Sequence, residues 1–213
     1  MTDSDRDGLT GLKNRKLLQN CFNDYAGDNS RFGLILIDVD GFIYFNDYYG
    51  HAEGDEKLKQ IAEIISQNVP NGVDVFRSGG DEFAVLLNDL NMAEVVTLAM
   101  QICKTVNKNF AHMPPLRRFF HMYDLSLGEV HYPLTISCGV AFYPEDGVSY
   151  EDLYTSAGEA VIAAKHLSGG VVGLARNKYH SCYLPSAFPA DCSSSGGIPC
   201  IRTHSDFRQF NSF

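Results

Sequence analysis

"VDVFRSGGDEFAVLL", residues 73–87, decides the fold. "VDVFR" (73–77) and "EFAVLL" (82–87) are two apolar runs rich in β-branched and aromatic residues, separated by a tight turn that holds both glycines, so the stretch reads as a β-hairpin. Two adjacent strands joined so tightly must run antiparallel, which excludes a sheet built only from helical crossovers. Asp81 and Glu82 put two repelling carboxylates at the mouth of the second strand. Gly79 and Gly80 lack a Cβ and are free to adopt positive φ, so the turn has room for a phosphate or a ribose against its main chain. Alone, such a turn is also what a plain hairpin with a solvated acidic end looks like.

Outward from the hairpin, the periodicities alternate. "FGLILIDV" (32–39) is a fully buried strand that ends in Asp38, with Asp40 just beyond it. Leu17, Leu18, Cys21, Phe22 and Tyr25 predict an amphipathic helix near 14–25, and "DEKLKQIAEIISQN" (55–68) predicts a second with Leu58, Ile61, Ala62 and Ile65 on one face. A third helix lies in "NMAEVVTLAMQICKTVNKNF" (91–110), and "PLTISCGVAFYP" (133–144) is a strand. Ser149 with Asp152 resembles a capping box that opens a helix through about Lys165, and "GGVVGLAR" (169–176) is a last strand. Residues 111–133 are irregular, with room for an extra hairpin; from Tyr179 onward the Ser, Pro, Gly and Cys content predicts a poorly ordered tail. Helical crossovers mixed with a hairpin give an α+β class: one mostly antiparallel central sheet flanked by helices, ferredoxin-like or polymerase-palm-like. Residues 1–176 form the domain and 177–213 the tail.

Bulk composition narrows the function. With 213 residues and 45% hydrophobic content the chain has material for one core. Its apolar runs fall far short of the roughly 20 residues that span a bilayer, and "MTDSDRDGLTGLKNR" has no apolar signal region. The expected location is the cytoplasm. A net charge of −9 disfavours nucleic acid and requires cations between the chain and any anionic substrate. Cys21, Cys103 and Cys138 read as core residues; Cys182, Cys192 and Cys200 fall in the tail, and no C-x-x-C pair supports a zinc site.

If the hairpin pairs beside the 32–39 strand, Asp38, Asp40, Asp81 and Glu82 converge at one edge. Left to themselves they would repel and drive one another's pKa upward. A divalent cation resolves this, since Mg²⁺ takes one or two carboxylates and leaves positions for water and phosphate oxygens. A pair of such ions suits phosphoryl transfer.

Five spaced motifs, "DGLTGLKNR" (7–15), "DVDGFIYFNDYYGHAEGDEKL" (38–58), "RSGGDEF" (77–83), "LTISCGVAFYP" (134–144) and, in weakened form, "AAKHLSGG" (163–170), together resemble the GGDEF family of diguanylate cyclases. The resemblance implies condensation of two GTP into cyclic di-GMP and two pyrophosphates, each of two facing domains holding one GTP, so that a homodimer is required. It implies Mg²⁺, with Mn²⁺ as the alternative ion, on Asp38, Asp81 and the Val39 carbonyl. Glu82 matches the position that helps deprotonate the attacking hydroxyl, and Asp40 is either a further acidic ligand or a turn-capping residue. Asn46 and Asp55 match the guanine readers; a carboxylate accepts from both N1–H and the 2-amino group, a donor pair adenine lacks, which also argues against a mixed cyclic dinucleotide. Helix capping and loop hydrogen bonding are the other reading of that pair. Phe42 is a base-pocket wall or an ordinary core aromatic, and Lys165 a phosphate ligand.

Departures from the family pattern point to a slow or conditional enzyme, or to a degenerate domain that binds GTP or a protein partner without turnover. Ile43 stands where the family has a phosphate-binding lysine, Gly169 where it has an arginine, and Gly158 where it has an acidic residue. Each lost charge-assisted phosphate contact is worth on the order of 1.5 to 3 kcal/mol, so two cost about two decades of affinity or more. Arg117, Arg118, Arg176 and Lys178 are the candidate replacements. The R-x-x-D feedback motif is absent, its positions being Pro70 to Val73. With only six residues ahead of the opening motif, dimerisation is expected from the domain itself, from 111–133, or from a separate partner.

Overall fold

Both faces of the Phe32–Val39 strand are covered, which is why its apolar residues run on without alternation. The structure, a computed structural model, describes residues 5–28, 30–88, 90–111, 134–166, 170–175 and 181–183. In chain order the elements are β1 (Lys13–Asn14), α1 (Arg15–Gly27), β2 (Phe32–Val39), α2 (Phe42–Tyr49), α3 (His51–Asn68), β3 (Val75–Arg77), β4 (Glu82–Asn88), α4 (Met92–Phe110), β5 (Ile136–Tyr143), α5 (Tyr150–His166), β6 (Val172–Leu174) and β7 (Ser181–Tyr183). One sheet carries all the strands in the order β1-β3-β4-β2-β5-β6-β7. Its central part, β3-β4-β2-β5, has the ferredoxin-like order and is wholly antiparallel. The flanking pairs β1–β3 and β5–β6 are parallel and β6–β7 is antiparallel, so the sheet is mostly antiparallel, as expected, with parallel pairs toward its edges.

On one face Ile35, Ile37 and Val39 of β2 pack with Phe83 and Val85 of β4 and Cys138 and Val140 of β5, beneath α3 and α4. On the other, Leu34, Leu36, Ala84 and Leu86 pack beneath α1 and α5. α5 approaches unusually closely. A Cβ at Gly139 would lie 2.0 Å from the Ala157 carbonyl oxygen and one at Gly173 2.2 Å from that of Ala160. Glycine at these two places lets the helix main chain rest on β5 and β6, which sets the positions of Tyr154 and Lys165.

α2 was not foreseen. "FIYFNDYY" has aromatics on most sides rather than one stripe, leaving Ile43, Tyr44 and Tyr48 exposed while Phe42 and Phe45 anchor it in the core. Gly41 (φ 64°) starts it and Gly50 (φ 86°) separates it from α3, which begins at His51 rather than Asp55. α4 opens with a full capping box, Asn91 with Glu94. At the start of α5 the Ser149 hydroxyl accepts from the Asp152 N–H (3.1 Å).

Three residues of the stretch expected to be poorly ordered form β7, antiparallel to β6. The hairpin expected within 111–133, Arg117, Arg118, Gly169, Arg176, Lys178 and the rest of the tail lie outside the described residues. Among the described residues no helix is long and apolar enough to cross a membrane.

Candidate active site

The β3–β4 turn closes tightly. The N–H groups of Ser78 and Gly79 both donate to the Glu82 carbonyl, at 2.9 and 3.3 Å. The turn is stitched to the end of β2, where the Val39 N–H donates to the Asp81 carbonyl (3.2 Å). In the β2–β4 register Asp38 stands directly opposite Glu82. Asp38, distant in sequence from the adjacent pair Asp81 and Glu82, is thereby brought to the same strand edge.

Neither Gly79 nor Gly80 takes the left-handed backbone that the sequence reading allowed for; the described glycines that do are Gly11, Gly41, Gly50, Gly72 and Gly170. The missing Cβ at Gly79 makes room for a side chain. A Cβ there would lie 2.6 Å from Glu82 Oε2, because the glutamate side chain folds back against it. At Gly80 a Cβ would meet nothing within 4 Å, and its carbonyl accepts from Arg77 Nε (3.2 Å) and Nη2 (2.5 Å).

Asp38 is largely buried and forms an ion pair with Lys165 Nζ of α5. Burial pushes its pKa up to about 6; the lysine opposes that shift, and the charges of Asp81 and Asp40 add to it. One ammonium therefore does not offset the burial and the neighbouring carboxylates. Hard oxygen donors short of positive charge suit Mg²⁺, which keeps water and phosphate oxygens in its remaining positions. Among the described residues no group of three or more His, Cys, Asp or Glu side chains is placed to hold a metal ion. Asp38 and Asp81 lie close enough for their charges to interact, at the strand end where the Val39 N–H is bonded to the Asp81 carbonyl.

Asp40 is tied across the fold rather than to its own turn. Its carboxylate accepts from Thr135 Oγ1 (2.6 Å), Ser137 Oγ (2.8 Å) and the Gly170 N–H (2.8 Å). Those three donors turn it toward β5 and the segment after α5.

A second cluster lies at the α2–α3 corner. Asn46 packs on Gly54, where a Cβ would lie 1.9 Å from Asn46 Oδ1 and 3.1 Å from Phe42 Cζ. Asn46 Oδ1 is buried with no hydrogen-bond partner, while Asp55, next to Gly54, is exposed. Phe42 belongs to the core, its ring parallel to Phe45 at 6.1 Å, yet its tip reaches the same corner. Ile43 is 67% exposed and brings no charge.

Several contributors escaped the sequence reading. Asp7 accepts from the Thr10 N–H (2.8 Å) and hydroxyl (2.7 Å) and from Arg77 Nη1 (2.9 Å), so the opening motif braces the arginine that holds Gly80. The D-x-x-T spacing signals such a local turn, but not its long-range partner. Tyr154 donates to Glu82 Oε2 (3.0 Å), and Arg15 lies over the Tyr154 ring, 4.9 Å from its centroid. Arg15 closes the opening motif, but Tyr154 lies in none of the motifs.

The family model described as diguanylate cyclase, GGDEF domain, matches residues 4–169. A bifunctional diguanylate cyclase/cyclic di-GMP phosphodiesterase of Pseudomonas aeruginosa, MucR, is 33% identical over 189 residues, 87% of this chain and 24% of that protein. An uncharacterized membrane protein of Staphylococcus epidermidis is 33% identical over 164 residues, 75% of this chain and 42% of the relative. The chain spans less than half the length of these relatives. Among solved structures, the GGDEF domain of YfiN (TpbB) from Pseudomonas aeruginosa is 30% identical with a TM-score of 0.63, covering 80% of this chain and 94% of that one. The coiled coil and GGDEF domain of DgcB from Caulobacter crescentus, in complex with c-di-GMP, is 26% identical with a TM-score of 0.64, covering 81% and 86%.

Proposed function

This chain belongs to the GGDEF domain family, and from that premise we propose that it is a diguanylate cyclase, a nucleotidyltransferase that condenses two GTP into cyclic di-GMP and two pyrophosphates. The observation that carries the reading is the junction of β2 and β4, where Asp38 faces Glu82 across the register and Val39 is bonded to Asp81. Asp38, Asp81 and the Val39 carbonyl would hold Mg²⁺ or Mn²⁺, which would supply positive charge against the phosphates. Lys165 exchanges its Asp38 partner for a phosphate oxygen as the nucleotide arrives. Glu82 takes the proton of the ribose 3′-hydroxyl. Asn46 and Asp55 read the guanine edge, with the buried, unpartnered Asn46 Oδ1 awaiting a donor. Gly79 and Gly80 form the turn under the phosphates, and Phe42 backs the base corner.

Each copy holds one GTP and attacks the other's α-phosphate, so the reaction needs a homodimer. The net charge of −9 suits neither nucleic acid nor unassisted anion binding. The setting proposed is cytoplasmic, as a signalling domain that stands alone or within a longer protein.

The exposed Ile43 favours one second reading, nucleotide or partner binding without turnover, because α2 supplies no cation there. Incubation with labelled GTP or ATP and Mg²⁺, followed by product separation, decides between them. The expected result is cyclic di-GMP from GTP alone, formed at a rate second order in protein at low concentration. No product at high protein and saturating Mg-GTP overturns the cyclase reading, and GTP retention in equilibrium dialysis then identifies the binding module.

A further inference from the structure

Glu82 is held by a residue to which the condensation described above gives no part. The Tyr154 hydroxyl, one turn into α5, donates to Glu82 Oε2 at 3.0 Å. That same oxygen lies where a Cβ on Gly79 would come within 2.6 Å, so it is confined between a phenol and the main chain of the turn. The phenol is itself fixed. Its ring lies against that of Tyr150 (centroids 5.5 Å apart) and under the Arg15 guanidinium (4.9 Å). Burial, together with the charge of Glu82, raises the Tyr154 pKa well above the ordinary phenol value, so the hydroxyl remains a donor at any working pH.

The type of donor matters. A cation bonded directly to Glu82 would hold it in place but would also stabilise the ionised form strongly and reduce its appetite for a proton. A neutral phenol orients the carboxylate without bringing a charge to it. Arg15, the nearby cation, lies over the phenol ring and attracts Glu82 through space.

We propose that Tyr154 is a positioning residue for Glu82: it pins Oε2 against the turn and leaves Oε1 as the oxygen that meets the ribose 3′-hydroxyl. The inference rests on the cyclase reading, since Glu82 has a proton to take only there. In that step the 3′-oxygen forms its bond to the α-phosphorus of the facing nucleotide as its proton passes to Oε1. The bond from the α-phosphorus to the α–β bridging oxygen breaks, and pyrophosphate leaves with the electron pair.

Tyr154→Phe removes one oxygen and keeps the ring for Tyr150 and Arg15. The expected result is a fall in kcat of about tenfold or more with the KM for GTP within about twofold, the signature of a contact that works in the transition state. In a Glu82→Gln background the same substitution is expected to cost nothing further. An unchanged kcat in Tyr154→Phe, or an equal loss in both backgrounds, overturns the proposal and leaves the tyrosine a packing residue. The ¹³C-carboxylate chemical shift of Glu82 at one fixed pH gives a readout independent of turnover. A signal that does not change in Tyr154→Phe removes the contact and the proposal with it, whatever the activity. A wild-type protein that makes no cyclic di-GMP while its Glu82 signal still responds overturns the cyclase reading, and the catalytic use of the contact falls with that reading alone.

Discussion

The two halves of the candidate site are built on opposite plans. At the β2–β4 edge the acidic side chains with described contacts are restrained: Asp38 by Lys165, Glu82 by Tyr154, and Asp40 by Thr135, Ser137 and Gly170. At the α2–α3 corner the polar groups are left open, with Asn46 Oδ1 buried and unpartnered and Asp55 exposed. Like charges at close quarters need fixed neighbours before any ligand arrives, because their repulsion would otherwise disperse them. A base reader has the reverse requirement, since an acceptor already satisfied by the protein has little to gain from a guanine donor.

The comparison breaks most severely at the acidic edge. Asp38→Asn or Asp81→Asn is expected to lower cyclic di-GMP formation by roughly 10²-fold or more, as expected when a group stabilising transition-state charge is removed; product measured at wild-type rates would end the assignment.

Next in size is a pH effect. Asp38 has a folded-state pKa of about 6 against an ordinary 3.8, so the fold binds this proton more tightly than the unfolded chain does. Its contribution to the stability of metal-free protein is therefore most favourable below the unfolded value and declines as pH rises toward 6, by on the order of 3 kcal/mol in all. Denaturant titrations at successive pH values should show that decline in wild type and its absence in Asp38→Asn. Mg²⁺ affinity runs the other way, rising as pH increases through about 6 because the ion needs the carboxylate.

At the open corner Gly54→Ala brings a Cβ to within 1.9 Å of Asn46 Oδ1 and must displace that side chain. A stability loss of about 1 to 3 kcal/mol is expected, with GTP binding weakened by roughly tenfold, the worth of one polar contact; calorimetry with GTP checks both the corner and its role. The smallest effect strengthens the restrained half. At Gly158, within α5, a Cβ would meet only Leu36 Cδ2 at 3.9 Å, so Gly158→Ala should raise stability by about 0.5 to 1 kcal/mol, read as a higher midpoint in thermal unfolding.

Legibility divided along the same line as function. Elements defined by burial announced themselves: β2, β4 and β5 as apolar runs, α3 and α4 as stripes, the turn by its glycines and paired acids. α2 stayed hidden because its aromatics face several environments, two rings into the core and other large side chains outward, so no period emerged. β1 is two residues long and parallel to β3, a pairing that only the tertiary fold creates. The fate of Asp40 depended on hydroxyls 95 and 97 residues away, and Tyr154 reaches Glu82 across 72. Composition near a residue cannot reveal such partners. Gly79 was singled out for positive φ and for its missing Cβ; the turn does not use the first, and the space left by the second is bordered by the Glu82 side chain.

Asp40 carries a kinetic implication. Its three donors come from positions 135, 137 and 170, so the end of β2 cannot reach its final state until nearly the whole domain has been synthesised and the last parallel strand has docked. Loop closure over such separations is slow compared with hairpin formation. The acidic edge should accordingly be among the last parts of the molecule to set during folding, well after the β3–β4 hairpin that presents Asp81.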